Sequence, residues 1–295
     1  MPSDQQNELL NFSGAPSPKI FCRLLKDPMG VVGLLIVLSF IVVAIFADFL
    51  APYDPSKIDV LNKLQGPSAE HFFGTDQLGR DTLSRLIFGT QIALMVAGVS
   101  IGLAVLIGSI LGAIAGYGPN WLDFLIMLLF DMVRSYPVIM FALAVVVLFG
   151  PSLYTIMAII VATSFPTYGR LMRTQTQSLR QAEYILSARA LGIGTPRIIF
   201  RHVLPNTIGP ILIVASMDVP FVIALEAGLS FLGLGVRPPT PSWGSILNDG
   251  YTYIRNSKWI LISAGIPLIL VTIGFTFLGE QLRDGFDPKI DRSSR

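Results

Sequence analysis

The chain has 295 residues, of which 52% are hydrophobic and 14% are charged, and its mean hydropathy is +0.65. A soluble domain of this size cannot bury so much apolar surface, so the composition excludes a soluble globular protein and indicates a membrane protein. The formal net charge of +2 gives no reason to expect a nucleic-acid partner. The single cysteine, Cys22, excludes an internal disulfide framework, and His71 and His202 lie too far apart for a paired zinc motif, so no metal site is predicted.

Six apolar segments predict six transmembrane helices and therefore an all-α, polytopic fold. The first, Val31 to Leu50, has no charge before Asp48 and is long enough to cross a hydrocarbon core of about 30 Å. The basic residues before it would also suit a signal peptide, but the apolar part is too long for one, which favours a retained anchor. The other five segments cover residues 92–117, 121–149, 153–168, 207–235 and 259–279.

Several residues in or beside these segments carry structural expectations. Gly108, Gly112 and Gly116, at four-residue steps, predict a face on which a neighbouring helix approaches closely. The short stretch Thr82 to Phe88 places its leucines and isoleucine on one helical face and is expected to lie along the membrane surface. Pro137 is expected to kink the third segment.

Four ionisable residues within the apolar segments are candidates for the translocation pathway. Asp131 and Arg134 are three residues apart on one helical face and are expected to neutralise each other. Asp218 and Glu226 lie about 80° apart around a helix axis, near one face. These two acids are expected to be structural or electrostatic lining rather than a discrete substrate site.

The polar island from Gln181 to Asn206 is predicted to form two short helices joined by a hard turn. Helical character runs from Glu183 to Leu191, and Gly192 can take the left-handed conformation that ends a helix. Thr195 is expected to cap a second helix, which is expected to stop before Pro205. Such a compact, basic knuckle suits docking into a groove on a partner, and an ordinary basic cytoplasmic loop is the alternative.

Two more strings stand out between the apolar segments. From Gly74 to Asp81 the chain reads Gly-Thr-Asp-Gln-Leu-Gly-Arg-Asp, and its charged residues are expected to pair and hold the loop's shape rather than contact substrate. From Val236 to Gly244, prolines forbid regular structure and a tryptophan is expected at interface depth. The residues singled out in the two strings are Gly74, Thr75, Asp76, Gly79, Arg80, Asp81, Pro238, Pro239 and Trp243.

Three stretches together resemble the C-type permease subunit of the dipeptide, oligopeptide and nickel ABC importers. They are Gly74 to Asp81, Ser230 to Gly244, and a coupling loop in which Ala188 to Gly192 is followed by Leu204-Pro205-Asn206. The resemblance runs over nearly the whole chain, from Met29 to Pro288.

The coupling loop departs from the family pattern at identifiable positions. The Glu-Ala-Ala positions fall on Leu186, Ser187 and Ala188, and the apolar position before Leu-Pro falls on His202. Glu183, one turn earlier, is the candidate substitute for the missing glutamate. The resemblance implies that contact with the ATPase subunit is made by Glu183, Tyr184, Ser187, Ala188, Gly192, Arg197, Leu204 and Pro205.

The resemblance also implies an architecture and a set of partners. The chain would be one half of a heterodimeric channel with the ABC importer permease fold and cytoplasmic coupling helices, embedded in the lipid bilayer of a bacterial inner membrane. A homologous second permease, two ATP-binding subunits that hold ATP and Mg, and a periplasmic or lipid-anchored solute-binding protein would complete the complex. Alternating access would import di- or oligopeptides, while nickel or another small solute is the alternative cargo.

The sequence separates this chain from the energy source independently of the resemblance. None of its six lysines is followed by Ser or Thr, so it lacks a P-loop and is not expected to be an ATPase or to hold a cofactor. The energy must come from another chain or from an ion gradient. In the second case, a secondary transporter, Asp218 and Glu226 would be the ion sites, but no internal repeat is visible. A membrane enzyme is a third class, without a nucleophile–base constellation to support it.

The distribution of basic residues predicts the orientation. Three lie in the first tail, six in the loop from Gly169 to Asn206 and four in the last tail, against seven on the opposite face. The positive-inside rule therefore places both termini and this loop in the cytoplasm. The predicted organisation is a cytoplasmic tail over residues 1–30, the first transmembrane helix and a periplasmic segment over 31–91, a permease core over 92–279 that contains the coupling loop 181–206, and a cytoplasmic tail over 280–295.

Overall fold

The computed structural model describes residues 27–286, so most of the two predicted tails lies outside the described residues. Within 27–286 the chain is helical and forms no strand, which confirms the all-α prediction. The helices are α1 (Pro28–Ile45), α2 (Ala47–Leu50), α3 (Thr82–Tyr117), α4 (Asn120–Arg134), α5 (Val138–Phe149), α6 (Leu153–Arg180), α7 (Glu183–Ala190), α8 (Thr195–Ile198), α9 (Leu204–Phe231), α10 (Trp243–Thr252) and α11 (Trp259–Phe286). A 3₁₀ turn covers Val60–Asn62, and a π turn covers Ile199–Val203.

Fewer helices than the six predicted are long and apolar enough to cross a membrane. Four described segments meet both conditions, namely α1, α3, the run Thr195–Phe231 and α11, and α4 with α5 makes a fifth if the bent pair counts as one span. The helix that corresponds to the predicted fourth span is α6, which continues to Arg180. Its apolar stretch gives way near Pro166 to polar and basic residues, which is why composition does not mark it as a span.

The closest helix pairing is that of α3 with α6, and glycines make it possible. A Cβ atom on Gly112 would lie 2.2 Å from the Gly169 carbonyl oxygen, one on Gly108 would lie 2.4 Å from that of Phe165, and one on Gly116 would lie 2.7 Å from that of Arg173. All three distances are shorter than any tolerable contact, so only glycine fits. The packing face predicted from the four-residue spacing is confirmed.

The prediction of a separate surface helix over Thr82 to Phe88 is wrong. Those residues are the first two turns of α3, which runs without interruption for 36 residues, about 54 Å. Thr82, Leu86 and several neighbours are buried in the protein, not spread along a membrane surface. Asp81 starts the helix because its carboxylate accepts hydrogen bonds from the Ser84 backbone N–H and hydroxyl, both at 2.7 Å.

At Pro137 the third predicted span breaks instead of kinking. The helices α4 and α5 meet at 88°, separated by Ser135, Tyr136 and Pro137. A proline lacks the backbone N–H that a helix interior needs and disfavours a helical conformation in the residue before it, so the chain turns here.

The predicted pairing of Asp131 with Arg134 is also wrong. Asp131 forms an ion pair with Arg170 of α6, and Arg134 donates a 2.9 Å hydrogen bond to the Thr167 hydroxyl. Both side chains therefore reach to α6, because that helix offers a competing cation and a hydroxyl within range. These contacts fasten the end of α4 to α6.

The two ends of the described chain lie side by side. Helices α1 and α11 pack through glycines, since a Cβ on Gly33 would lie 2.8 Å from the Phe277 Cβ and one on Gly274 would lie 2.6 Å from the Ile36 side chain. Next to this contact the Gln281 amide donates a hydrogen bond to the Asp27 carboxylate. The start of α1 and the end of α11 are therefore on the same side of the protein.

We expect Gly112→Ala to destabilise the protein by about 1–3 kcal/mol, because the added methyl group must push α3 away from the α6 backbone. The measurement is the thermal unfolding midpoint of the purified protein in detergent.

Gly102→Ala is the matched control on the same helix, because a Cβ there meets nothing within 4 Å. It should leave the midpoint unchanged or raise it, since alanine favours a helix over glycine by about 1 kcal/mol. A lower midpoint for both variants alike would contradict the assignment of Gly112 to a close helix contact.

Candidate functional site

The polar island folds into the predicted knuckle, and its turn has the expected geometry. Helix α7 ends at Ala190, and Gly192 follows with a φ of 79°, in the left-handed region. The Gly192 N–H donates to the Arg189 carbonyl at 2.9 Å and the Ile193 N–H to the Ala188 carbonyl at 3.1 Å. These two bonds form a Schellman motif, which satisfies the last carbonyls of the helix.

The second half of the knuckle differs from the prediction. Gly194, not Thr195, precedes the first residue of α8, and the chain does not stop before Pro205. It continues through the π turn Ile199–Val203 directly into α9, where Pro205 lies in the first turn. The α-helical bond that Pro205 lacks falls just after the π turn, where the α-helical hydrogen-bond pattern is already interrupted. The knuckle is thus continuous with a membrane helix.

Most of the predicted coupling residues are exposed, with two exceptions. Glu183, Tyr184, Ser187, Gly192, Arg197 and Pro205 are exposed, and Leu204 is half-buried. Ala188 is buried in this chain's own core, so its methyl group does not face outward as the prediction of a groove contact required. The Schellman turn also brings Ile193 back to the end of α7, where its N–H bonds to the Ala188 carbonyl. Partial burial raises the pKa of the Tyr184 hydroxyl above its ordinary value.

The most exposed apolar side chains of the knuckle are ones that the sequence reasoning did not select. Leu191 is 82% exposed, Phe200 is 70% exposed and Leu186 is 50% exposed. Large apolar side chains in a polar, arginine-rich loop are a signal for a protein contact, and that signal was available in the sequence. Arg197 and Arg201 are exposed in the same segment. This set of apolar and basic side chains is called the knuckle surface below.

The knuckle lies at the C-terminal end of α3. The guanidinium groups of Arg180 and Arg189 lie 5.5 and 5.4 Å from the centre of the Tyr117 ring, within the range of a cation–π contact. Tyr117 is the last residue of α3 and is buried. The loop that precedes α3 is therefore separated from the knuckle by the full length of that helix.

At the opposite end of α3, buried charges connect three parts of the chain. Asp76 accepts bonds from Arg80 Nε at 2.6 Å and from Arg85 Nη1 at 2.5 Å. Arg85 also reaches Asp249 of α10 at 3.1 Å. Asp76, Arg80 and Arg85 are buried, so this ion network fixes the loop of residues 51–81, called the outer loop below, to both α3 and α10. The predicted pairing of Asp76 with Arg80 is confirmed, while Arg85 and Asp249 were missed because their partners are distant in sequence.

The rest of the Gly74 to Asp81 string shapes the same loop. A Cβ on Gly79 would lie 1.7 Å from the Asp59 carbonyl oxygen, and one on Gly74 would lie 2.3 Å from that of Gln65, and both residues have positive φ. The Thr75 hydroxyl accepts a 3.0 Å hydrogen bond from the Gln65 N–H. Asp81 caps α3 and also contacts His71 Nδ1 at 2.9 Å instead of pairing with an arginine.

Trp243 is not an interface anchor. It is fully buried, its indole N–H donates to the Leu86 carbonyl at 3.1 Å, and its ring packs edge-on against Phe40 at 5.8 Å. The indole covers Gly89, where a Cβ would lie 2.7 Å from a ring carbon. Trp243 is the first residue of α10, and its contacts hold α10 against α3. This helix was not predicted, because the prolines before it indicate irregular structure. Pro238 and Pro239 lie in the exposed loop just before it.

The ionisable residues of the apolar segments occupy different environments. Asp218 is half-buried and accepts a 2.8 Å hydrogen bond from the Tyr168 hydroxyl of α6. Glu226 is fully buried and accepts a 2.7 Å hydrogen bond from the Ser230 hydroxyl. Asp131 and Arg134, in contrast, are exposed at the break between α4 and α5. Between residues 27 and 286 no group of three or more His, Cys, Asp or Glu side chains could hold a metal ion.

The chain is a helical membrane protein with an apolar and basic knuckle at one end of α3 and an ion-paired loop at the other. These features are consistent with a transport permease. Sequence comparison defines the family. The profile described as "Binding-protein-dependent transport system inner membrane component" matches residues 108–292, and that of the "N-terminal TM domain of oligopeptide transport permease C" matches residues 19–67. The chain belongs to the family of binding-protein-dependent transport system inner membrane components, which confirms the resemblance drawn from its motifs.

Curated relatives align with this chain over most of their length. It is 41% identical to a dipeptide transport system permease protein, DppC, of Alkalihalophilus pseudofirmus, with 94% of this chain and 91% of the relative covered. It is 37% identical to a glutathione transport system permease protein, GsiD, of Pectobacterium atrosepticum, covering 93% and 92%. It is 36% identical to a di/tripeptide transport system permease protein, DppC, of Pseudomonas aeruginosa, covering 95% of each.

A solved structure has the same fold. A chain of the MetNI methionine ABC transporter in an inward-facing conformation matches with a TM-score of 0.54 at 17% identity, covering 69% of this chain and 97% of that chain. At this identity the likeness concerns the fold alone, and it identifies that fold as one of an ABC importer permease.

We expect Arg85→Gln to lower stability by about 3 kcal/mol, because it removes one partner of a buried ion network and leaves Asp76 and Asp249 with less compensation. Thermal unfolding of the purified protein measures the effect.

Arg255→Gln is the control, since Arg255 is exposed and has no ion-pair partner within residues 27–286. It should change stability by no more than about 0.5 kcal/mol. Equal unfolding midpoints for the two variants would show that the network does not hold the outer loop.

Proposed function

We propose that this chain is a transmembrane permease subunit of an ATP-driven importer and that the imported solutes are di- or oligopeptides. The observation that carries the proposal is the 41% identity to a dipeptide transport system permease over 94% of the chain, which includes the knuckle and the outer ion network. The names of two further relatives, for di/tripeptide and glutathione transport, agree with a short peptide as cargo. Glutathione is itself a tripeptide.

The chain acts as half of a channel in a bacterial inner membrane. A homologous permease forms the other half, two ATP-binding subunits supply the energy, and a periplasmic or lipid-anchored binding protein delivers the solute. The ATP-binding subunits carry ATP and Mg, so this chain is not itself an enzyme. Its knuckle surface supports this division, because Leu191 and Phe200 are large apolar side chains exposed in a polar, arginine-rich segment, which is typical of a protein contact.

Alternating access follows from the connection between the knuckle and the membrane helices. Closure of the two ATP-binding subunits displaces the knuckle, and since the π turn leads directly into α9 and the end of α6 leads directly into α7, both helices tilt with it. Among the four intramembrane candidates, exposure on the free subunit supports Asp131 and Arg134 as lining of the pathway. The burial of Glu226 and the Tyr168 bond of Asp218 support structural roles for those acids.

The test of the function is uptake of a labelled dipeptide by proteoliposomes that contain the complete complex. We expect uptake to require ATP on the face of the ATP-binding subunits and to proceed without an ion gradient. Asp218→Asn should retain ATP-dependent uptake, because the Tyr168 hydroxyl can still donate to the amide oxygen. Uptake that ignores ATP, needs a proton or sodium gradient and is lost in this variant would establish a secondary transporter instead.

We expect the double substitution Leu191→Gln and Phe200→Gln to abolish uptake and to weaken retention of the ATP-binding subunits about tenfold or more. Each buried apolar side chain of this size contributes about 1.5–3 kcal/mol to such an interface. Co-purification of the ATP-binding subunits with the permease measures retention.

Leu61→Gln is the matched control, because Leu61 is 94% exposed but lies in the loop at the other end of α3. It should retain the ATP-binding subunits at the wild-type level. Unchanged retention in the Leu191 and Phe200 variant would remove the knuckle surface from the interface.

The proposed orientation places the Gly169 to Asn206 loop and both termini in the cytoplasm. In a Cys22→Ser background, Ser68→Cys and Ser178→Cys introduce single thiols at exposed positions on the two sides. An impermeant maleimide added to intact spheroplasts should label only the cysteine at position 68. Labelling of position 178 would reverse the orientation, and permeabilised cells, in which both should react, control for access.

A further inference from the structure

A cavity of about 550 Å³ lies beneath the knuckle, between the end of α3, the start of α4, the end of α6 and α7. Its walls combine backbone at Gly116 and Gly118 with polar and charged side chains. The polar and charged residues are Asn120, Asp123, Gln177, Arg180, Gln181 and Arg189.

The charge of this cavity is positive. Asp123, the only acid in its lining, is already neutralised by Arg173, whose Nε and Nη2 donate to the two carboxylate oxygens at 2.5 Å each. Arg180 and Arg189 have no carboxylate within 4.0 Å in the part of the chain from 27 to 286. Two guanidinium groups without a carboxylate beside them in this range therefore face one cavity.

The same walls are rich in hydrogen-bond donors. Three carboxamides, those of Asn120, Gln177 and Gln181, accompany the two arginines. Helix α4 begins at the cavity edge with Pro119 as its N-cap and without a side-chain cap, so its first backbone N–H groups have no side-chain acceptor. A ligand with negative charge and several acceptor oxygens matches this set of groups.

Arg180 and Arg189 both lie over the Tyr117 ring, and neither forms an ion pair with an acid among the described residues. Each of these contacts with the Tyr117 ring contributes only about 0.5–1 kcal/mol. Because the contact uses the face of the guanidinium group, the N–H groups in its plane can still donate hydrogen bonds. The cavity therefore holds unused donors of the kind that bind phosphate in pairs.

The level of the cavity in the membrane indicates where such an anion comes from. Tyr117 ends the apolar run of α3, and Trp121, which is exposed, stands in the first turn of α4. Tryptophan at the end of an apolar segment is typical of the headgroup region of a bilayer. On the orientation proposed above, this is the cytoplasmic leaflet, where anionic lipids attract arginine.

We propose that the cavity is a binding site for a phosphate-bearing anion, held by Arg180 and Arg189, and that this anion is the phosphate of a lipid headgroup or a free phosphate ion. The assignment of the cavity to the cytoplasmic face rests on the proposed function, whereas its charge and its donors do not. A bound phosphate joins the end of α6 to α7 and so sets the position of the knuckle relative to the membrane helices.

The experiment measures lipid binding by the intact importer complex and does not use transport as its readout. Phosphatidylglycerol is titrated into the detergent-purified complex, and native mass spectrometry counts the lipids retained. We expect Arg180→Gln with Arg189→Gln to lose one retained phosphatidylglycerol or to bind it about tenfold more weakly, since each charge-assisted contact is worth roughly 1.5–3 kcal/mol. Arg201→Gln removes an exposed arginine of the same knuckle outside the cavity and should bind like the wild type.

Two further arms separate the sources of the phosphate and guard against misfolding. Equilibrium dialysis of the complex in phosphatidylcholine with labelled inorganic phosphate, lost in the glutamine variant, would identify the free ion as the ligand. Arg180→Lys with Arg189→Lys keeps both charges but lacks the paired donors of arginine, so it should bind more weakly than the wild type and more tightly than the glutamine variant. The proposed site would be overturned if the wild type and the glutamine variant bound phosphatidylglycerol and phosphate equally. It would also be overturned if the lysine variant were as defective as the glutamine variant. Neither result would contradict the proposed permease function.

Discussion

The contact on which this subunit depends is the backbone-to-backbone packing of α3 on α6. Three glycines one turn apart remove the side chains that would hold the two helices separate, and the carbonyls of α6 lie where Cβ atoms would otherwise be. Because both helices are long, this one contact determines two distant features. The end of α6 places the knuckle, and the start of α3 places the outer loop and α10.

Several ion pairs of this apolar chain join elements that are distant in sequence. Asp131 pairs with Arg170 and Asp123 with Arg173. Arg85 binds both Asp76 and Asp249, and Asp249 lies 164 positions after Arg85 in the sequence. A charge in or near hydrocarbon is costly unless a partner is brought to it, and the packed neighbouring helix is the nearest source of one. These ion pairs therefore contribute to the specificity with which one element packs against another, because the apolar surfaces alone are similar.

Features that depend only on neighbouring residues were predicted correctly from the sequence. The glycine spacing of α3 and the left-handed turn at Gly192 follow from sterics within a few residues, and both predictions are confirmed. The burial of Trp243 and of Ala188 depends on which distant segment covers them, and no pattern around either residue encodes that. The sequence predicts a separate surface helix at the start of Thr82–Tyr117 because the first turns have an amphipathic pattern. In the structure their polar side chains face the ion network and not water.

Among the four longest helices, α3 alone has no proline in its interior, whereas α6, α9 and α11 contain Pro166, Pro210 with Pro220, and Pro267. With a length of about 54 Å it extends well past a hydrocarbon layer of about 30 Å. This one helix therefore has the ion network at one tip and the Tyr117 ring at the other, both beyond the hydrocarbon layer. Any tilt imposed at one tip is transmitted to the other without a hinge between them, so the two faces of the subunit cannot rearrange independently.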